Sequence, residues 1–437
     1  MGETAWTALR EGYTVPVRDI LWGHIYLKPA MAALTETVAF MRLYRILQLG
    51  PAYRVYPGAT HTRAAHSLGV YHLGRRLLLS LAEQGAEAWI SPQGVRSFLC
   101  ACLLHDLGHF PYTHSLKELP LRSHEDLTAE LIRAEPLRSL LGAAGADPDL
   151  TAAIVETAPG RWSGAELAFY RRLLSGCMDP DKLDYLNRDA RCCGVPYGVQ
   201  DVDYIVSRLH PQPERGVDID SRGIPSVESI LFAKYLMYRT VYWHRDVRSA
   251  TAMVKKAILG GLDAGVLAPE ELYGLDDQGL FALLADCRGR TPGNRALFDL
   301  AARVREGPLH RSVAEIPYDP AWHGPLTGLR ERARAEEALA EDLGRAAGCR
   351  IAPGELIIDL PEPVSFETNL FISDEGLPFP GETGVFKTDV VEGLVKQVRI
   401  IRILLDPILE NKVQCAGKGG ICIGKFTIPP KTWSLPR

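Results

Sequence analysis

The sequence predicts a mainly α-helical protein, with a helical core and a smaller α+β part at its C-terminal end. Three observations carry that expectation. From about Lys28 to Ala250, apolar residues recur at i, i+3, i+4 and i+7. Short Gly/Pro punctuation, such as YPGAT (56–60) and PYG (196–198), divides this pattern into segments. Beyond about residue 350 the segments become short and β-branched, and Pro361, Pro363, Pro378 and Pro380 punctuate them.

Taken in order, MAALTETVAFMRLYRIL (31–47), the HSLGV segment opened by His66, VRSFLCACLLHDLGH (95–109) and LFAKYLMYRTVYWHRDVRSATAMVKKAILGGL (231–262) read as helices. GLRERARAEEALAEDLGRA (328–346) reads as a solvated amphipathic helix. ELIIDL (355–360), NLFIS (369–373), QVRIIRILL (397–405) and GICIGKFTI (420–428) read as strands. The expected organisation is a helical core over 1–265, a helical extension over 266–349 and an α+β region over 350–437.

The 437 residues, 46% hydrophobic, can bury a large core. A net charge of −4 excludes an overall basic nucleic-acid binder, though not a local basic groove. Nine cysteines with no CxxC pair point to a reducing, cytoplasmic setting. A membrane span is not expected, because no apolar run reaches the roughly 18 residues needed, and the first residues lack a signal-peptide hydrophobic stretch.

The chemistry concentrates in a few stretches. His105 and Asp106 end the apolar run SFLCACLLHD, and burying such groups is costly unless they are paired or bound to metal. His66 opens a second apolar segment, and MDPDKLDYLNRDA (178–190) supplies Asp179, Asp181, Asp184 and Asp189 around Lys182 and Arg188. On a helix Asp181, Tyr185 and Asp189 share a face. Two His and two Asp suit a hard or borderline divalent ion, Mn²⁺, Mg²⁺, Fe²⁺ or Co²⁺, with positions left for water and phosphate. Zinc would more often recruit cysteine. On the residues alone, a metal site and a set of satisfied core histidines both remain open.

In that order and at those separations, HTRAAHSLGV (61–70), ACLLHDLGHFPYTH (101–114), LRSHED (121–126) and MDPDKLDYLNRD (178–189) resemble the HD superfamily of metal-dependent phosphohydrolases. Within it they resemble the deoxynucleoside triphosphate triphosphohydrolase branch. The likeness runs from about residue 16 to 250, through VRDILWGHIYL (17–27) and QLGPAYRVYPGATHTRAAHSLGV (48–70), and is loose beyond 350.

The resemblance implies His66, His105, Asp106 and Asp181 as ligands of a divalent ion, and release of inorganic triphosphate from a deoxynucleotide. It implies His124 as general acid oriented by Glu125, which would raise its pKa. His109 and His114 match positions that contact phosphate or the attacking water. Arg63 and Lys182 match phosphate contacts, and Lys234 stands where a γ-phosphate arginine is expected. Gln48, Leu49, Tyr185 and Asp189 match the sugar pocket, the tyrosine closing it at C2′. Arg239 and His244, on the helix that in the family borders the site, read equally as packing or interface residues, His72 as structural, and His61 carries no assignment.

A homo-oligomer is implied. Arg42 is kept, but Tyr44 stands where an activator-binding arginine is expected, so nucleotide activation is not implied. Rival readings are a phosphohydrolase removing phosphates stepwise from a specialised nucleotide, and a nucleic-acid-binding or nuclease protein. GGICIGK (419–425) has phosphate-loop spacing, yet Phe426 fills the Ser/Thr position, so a turn between strands is the better reading.

Overall fold

A computed structural model describes residues 3–158, 163–291, 295–366, 369–380, 384–416, 421–423 and 426–428. Four helices position the site: α1 (Arg63–Glu83), α2 (Pro92–Leu104), α3 (His124–Arg133) and α4 (Pro180–Cys193). Each is started by a side-chain cap. Thr62 accepts from the Ala65 amide, Ser91 from Gly94, Ser123 from Asp126 and Asp179 from Lys182. Proline occupies the first turn of α2 and α4, where its missing N–H costs nothing. Buried Leu, Phe and Ala side chains on α1, α2 and α4 form one core around α1.

Two glycines are demanded by this packing. A Cβ at Gly69 would overlap the Asp184 carboxylate, and one at Gly108 would overlap the His124 carbonyl. HSLG and HDLG therefore carry glycine because a partner helix touches the backbone there. Asp184 and Arg188 cannot swing aside, since both are fully buried and paired with each other. Gly69→Ala is expected to cost about 1–3 kcal/mol through overpacking, read from denaturant midpoints. An unchanged midpoint would contradict the close approach.

The later elements are α5 (Ile224–Met237), a π-helical turn at Tyr238–Tyr242, α6 (Arg245–Asp263), α7 (Asp277–Arg290) and α8 (Leu329–Ala347). Of these, α5, the π-helical turn and α6 wall the site on its other side. The strands are β1 (Val15–Asp19), β2 (Gly23–Leu27), β3 (Leu209–Gln212), β4 (Gly216–Ile219), β5 (Arg311–Pro317), β6 (Leu356–Asp359), β7 (Phe371–Ile372), β8 (Leu377–Pro378), β9 (Ile400–Leu405), β10 (Ile421–Ile423) and β11 (Phe426–Ile428). They pair as a β1–β2 hairpin, a β3-β4-β7-β8 sheet, an antiparallel β5-β9-β6 sheet and a β10–β11 hairpin. The mainly helical class with small sheets is as the sequence predicts.

Several boundaries differ. The expected helix over 31–47 is two short ones, Pro29–Thr35 and Val38–Leu43, because the Thr37 side chain caps the second. The segment 231–262 is broken at Trp243 and His244, whose ring nitrogen accepts from the Asp246 amide. The β1–β2 hairpin, β3, β4 and β5 were not expected; β1, β2, β3 and β5 are partly buried and β4 is buried throughout, so they share no single alternating pattern. Residues 388–398 form a helix whose end overlaps the start of the expected strand at Gln397. In the 420–428 segment, 421–423 and 426–428 pair as an antiparallel hairpin. Gly419, Gly424 and Lys425 of the phosphate-loop spacing lie outside the described residues.

The C-terminal sheet is tied to the core by buried ions. Arg248 on α6 bonds Asp359 of β6 through two nitrogens, Nη2 at 2.6 Å and Nε at 3.0 Å. Arg402 of β9 donates to the Trp243 carbonyl at 3.0 Å. Among the described residues, no helix is long and apolar enough to cross a membrane. Cys100, Cys102, Cys177, Cys192, Cys193, Cys287 and Cys349 are free thiols.

Candidate metal centre and substrate cavity

Helix ends meet at one point. His66 lies in the first turn of α1, Asp181 in the first turn of α4 and His124 at the start of α3, while His105 follows the last residue of α2. Three of these termini are N-termini, whose free amides favour anions. Ligand atoms of His66, His105 and Asp181 lie within 4.8 Å of one another. His66 Nε2 is 2.9 Å from Asp181 Oδ1, and His105 Nε2 is 3.4 Å from Asp106 Oδ1.

The histidine orientation matches what a cation needs. His66 Nδ1 is held by Asp184 Oδ2 at 2.9 Å, and His105 Nδ1 by the Cys102 carbonyl at 2.9 Å. Each ring thus turns Nε2 to the shared point, the usual outer support of metal-bound histidine. His105 Nε2 is buried without a hydrogen-bond partner among the described residues. Two imidazoles and two carboxylates form a donor set that fits a divalent cation. Arg63 donates to Asp106 Oδ2 at 2.8 Å, so it also orients that carboxylate.

A second histidine group adjoins the first. The rings of His109 and His124 are 3.8 Å apart, and those of His109 and His114 are 4.8 Å apart. His124 Nδ1 is 3.1 Å from Glu125 Oε2. The expected rise in its pKa does not occur. Burial, with His114 nearby, holds the His124 imidazole well below its ordinary value and hence neutral. His109 is pushed the same way by burial and the charge of Arg63. Between them Tyr112 adopts φ 64°, the left-handed region; it is the only non-glycine there among the described residues. Arg42 is buried and clamps this loop through the Leu107 and His109 carbonyls, while donating to Leu275 of the segment before α7.

Both groups open on a cavity of about 440 Å³. The predicted site residues line it, except Glu125, which touches it only through His124. Gln48 and Leu49 enter from the loop before α1, and Tyr185 and Asp189 from α4. The Lys182 ammonium is held by Asp179 at 2.7 Å and the Gly176 carbonyl at 2.9 Å. Lys234 also lines the cavity, but its Nζ donates to the Ser365 carbonyl at 2.8 Å and lies 5.5 Å from the Phe366 ring. It latches the segment that brings Glu362 and Pro363 to the wall, a second task beside any phosphate contact.

Sequence reasoning left several neighbours without a role. Asp184 collects His66, Arg188 and the Trp22 indole N–H, the last at 2.6 Å, and Arg188 also reaches Asp19 at 2.8 Å. Thr128 on α3 bridges the His105 carbonyl and the Gly108 amide. The available signal was the Asp184-x₃-Arg188 spacing, which puts opposite charges on one helix face.

His61 is the other surprise. Its Nε2 is 2.8 Å from Asp189 Oδ1, with both side chains buried. Burial alone would push this imidazole down, but Asp189 and Cys192 outweigh it and raise the pKa to about 9. Because the folded value exceeds the ordinary 6.5, the stabilisation is fully present below pH 6.5 and is lost as pH rises through about 9. Its size is about 3 kcal/mol. Wild type and His61→Gln should therefore differ most in Tm near pH 6 and converge by pH 9. A pH-independent gap would mean a neutral ring.

Fold and site together define a helical protein built around a cluster of histidines and aspartates that could hold a metal ion. Residues 63–193 match the HD domain model, and residues 201–373 match the HD associated region. The uncharacterized protein MJ1154 of Methanocaldococcus jannaschii is 30% identical over 371 residues, 83% of this chain and 72% of that protein. The deoxynucleoside triphosphate triphosphohydrolase SAMHD1 of Homo sapiens is 26% identical over 274 residues, 56% of this chain and 44% of that one. The crystal structure of a phosphohydrolase from Bacteroides thetaiotaomicron superposes with a TM-score of 0.67 at 23% identity, covering 90% of this chain and 100% of that one, which shows the shared fold. The chain spans about half the length of the first curated relatives it matches. It belongs to the HD-domain phosphohydrolase family.

Proposed function

We propose that this protein hydrolyses deoxynucleoside triphosphates to deoxynucleoside and inorganic triphosphate. The observation that carries this reading is one cavity lined both by His66, His105, Asp106 and Asp181 and by the sugar-pocket set Gln48, Leu49, Tyr185 and Asp189. A divalent cation held by the first set would polarise a phosphate oxygen and lower the pKa of a bound water.

The protein's own groups account for the rest. Arg63 and Lys182 offset the triphosphate charge, with Lys182 braced by Asp179, while His114, kept neutral by burial, offers it a ring N–H. Water attacks the α-phosphorus, and neutral His109, 3.1 Å from Asp106, takes up its proton. The bond to O5′ breaks and the leaving oxygen requires a proton. Glu125 occupies His124 Nδ1, so Nε2 delivers it. A buried neutral imidazole must first be charged, and the arriving triphosphate supplies the negative field that favours this. Tyr185 leaves no room for a ribose 2′-hydroxyl.

The test is incubation with a panel of dNTPs and Mn²⁺ or Mg²⁺, resolving products by ion exchange. Nucleoside plus triphosphate is expected. Orthophosphate released stepwise would favour the specialised-nucleotide reading, and salt-sensitive binding of single strands without dNTP turnover would favour the nucleic-acid reading. The active form is read as a homo-oligomer, to be checked by light scattering.

A further inference from the structure

We propose that His61 and Tyr242 are positioning residues that fix Asp189 and Gln48 as one unit for the sugar 3′-hydroxyl. The inference rests on the triphosphohydrolase reading and deepens it at the sugar.

Asp189 is 2% exposed yet lines the cavity, and both of its oxygens are engaged. Oδ1 is 2.8 Å from His61 Nε2, and Oδ2 accepts from the Tyr242 hydroxyl at 2.7 Å. The three residues come from three places: the loop before α1, the helix α4 and the π-helical turn. Such a turn adds a residue to the helical repeat, and such turns occur often at functional sites. Here Tyr238 and Tyr242 both face the cavity, their rings 5.1 Å apart, and Tyr56 pins the turn by donating to the Thr240 carbonyl at 2.7 Å.

His61 serves Gln48 as well. Its carbonyl accepts from the Gln48 amide N–H at 3.0 Å, and Leu47 and Thr62 bridge beside it. From the other side, Asp277 accepts from the Leu47 amide at 2.9 Å. The Gln48 carboxamide oxygen is buried with no hydrogen-bond partner among the described residues. One residue thus fixes both groups, through its ring to Asp189 and its backbone to Gln48.

The chemistry of a 3′-hydroxyl suits this pair. It has one proton to give and lone pairs to offer, so it can donate to the Asp189 carboxylate and accept from the Gln48 carboxamide turned to present its N–H. A carboxylate already held by two donors keeps its remaining lone pairs aimed and loses little freedom when the sugar arrives. His61, whose ring is held protonated, keeps its Nε2–H aimed at Oδ1 of that carboxylate.

The experiment compares a dNTP with its 2′,3′-dideoxy counterpart on the full chain in Mn²⁺. Wild type is expected to prefer the 3′-hydroxyl by roughly 10- to 100-fold in kcat/KM, the worth of charge-assisted hydrogen bonds left unmade. In His61→Ala and in Tyr242→Phe that preference should shrink to a few-fold. The loss should fall on KM for the dNTP, with the dideoxy substrate little changed. His61→Gln, which keeps a side-chain N–H, should recover part of it. Folded variants that keep the wild-type preference, or that lose both substrates in equal proportion, overturn the proposal. Tyr242→Phe decides the matter if His61→Ala does not fold. A wild type that turns over dNTPs while ignoring the 3′-hydroxyl overturns it too. A wild type inactive on every dNTP removes the triphosphohydrolase reading and this inference with it, whereas an active wild type with unmoved variants removes this inference alone.

Discussion

Asp181→Ala is expected to lower turnover by about 10³-fold or more while the protein stays folded. Asp181 is 2.9 Å from His66 Nε2 and 3.9 Å from His105 Nε2, so its carboxylate closes the donor set from the α4 side. Removing it withdraws a ligand and the several kcal/mol of transition-state stabilisation that a cation would supply. The fold should tolerate the change. The Asp181 side chain is 36% exposed, and His66 keeps its other partner, Asp184. His105→Ala should behave alike. Metal content after dialysis, turnover and the melting curve check the three parts separately. Retained turnover in both variants would sink the metal assignment.

Asp184→Ala should do the opposite and act first on stability. Its carboxylate is fully buried and receives Arg188, His66 and Trp22 together. Without it Arg188 keeps only Asp19 among the bonds seen here, in a site water does not reach. Leaving a buried charge short of its partner costs about 3–5 kcal/mol. His66 also loses the acceptor that turns Nε2 toward the site, which should weaken metal binding by roughly 10- to 100-fold in the fraction that folds. Calorimetric Tm and Mn²⁺ titration of the folded fraction measure the two effects. A wild-type Tm would mean that Arg188 finds another anion and that the cluster is not what joins α1 to α4.

The legible part of the site was the part written in residue type and local spacing. An HD pair after an apolar run and a carboxylate face on an amphipathic helix announce polar groups that burial would punish unless they were used. His66, His105, Asp106, Asp181 and the three nearby histidines do converge on one cavity. The Asp184–Arg188–Asp19 cluster was hidden because its partners are 4 and 169 residues apart, and only the short separation leaves a trace in sequence. The neutral state of His124 was hidden for another reason: Glu125 is its neighbour in the chain, but burial against His114 depends on how α3 packs.

His61 makes the division plain. In HTRAAHSLGV it looks like one more histidine, five residues before His66. Its partner Asp189 lies 128 residues away, and Tyr242 reaches the same carboxylate only because a π-helical turn rotates it inward. Composition and periodicity were enough for the helical class, which follows from local propensity, and the resemblance carried by the motif order pointed to the histidines and aspartates that line the cavity. Which oxygen each donor meets, and so which tautomer, charge and orientation each group holds, is decided by contacts between distant segments. Those contacts are set by the packing of α1 on α4 and of the π turn over the cavity.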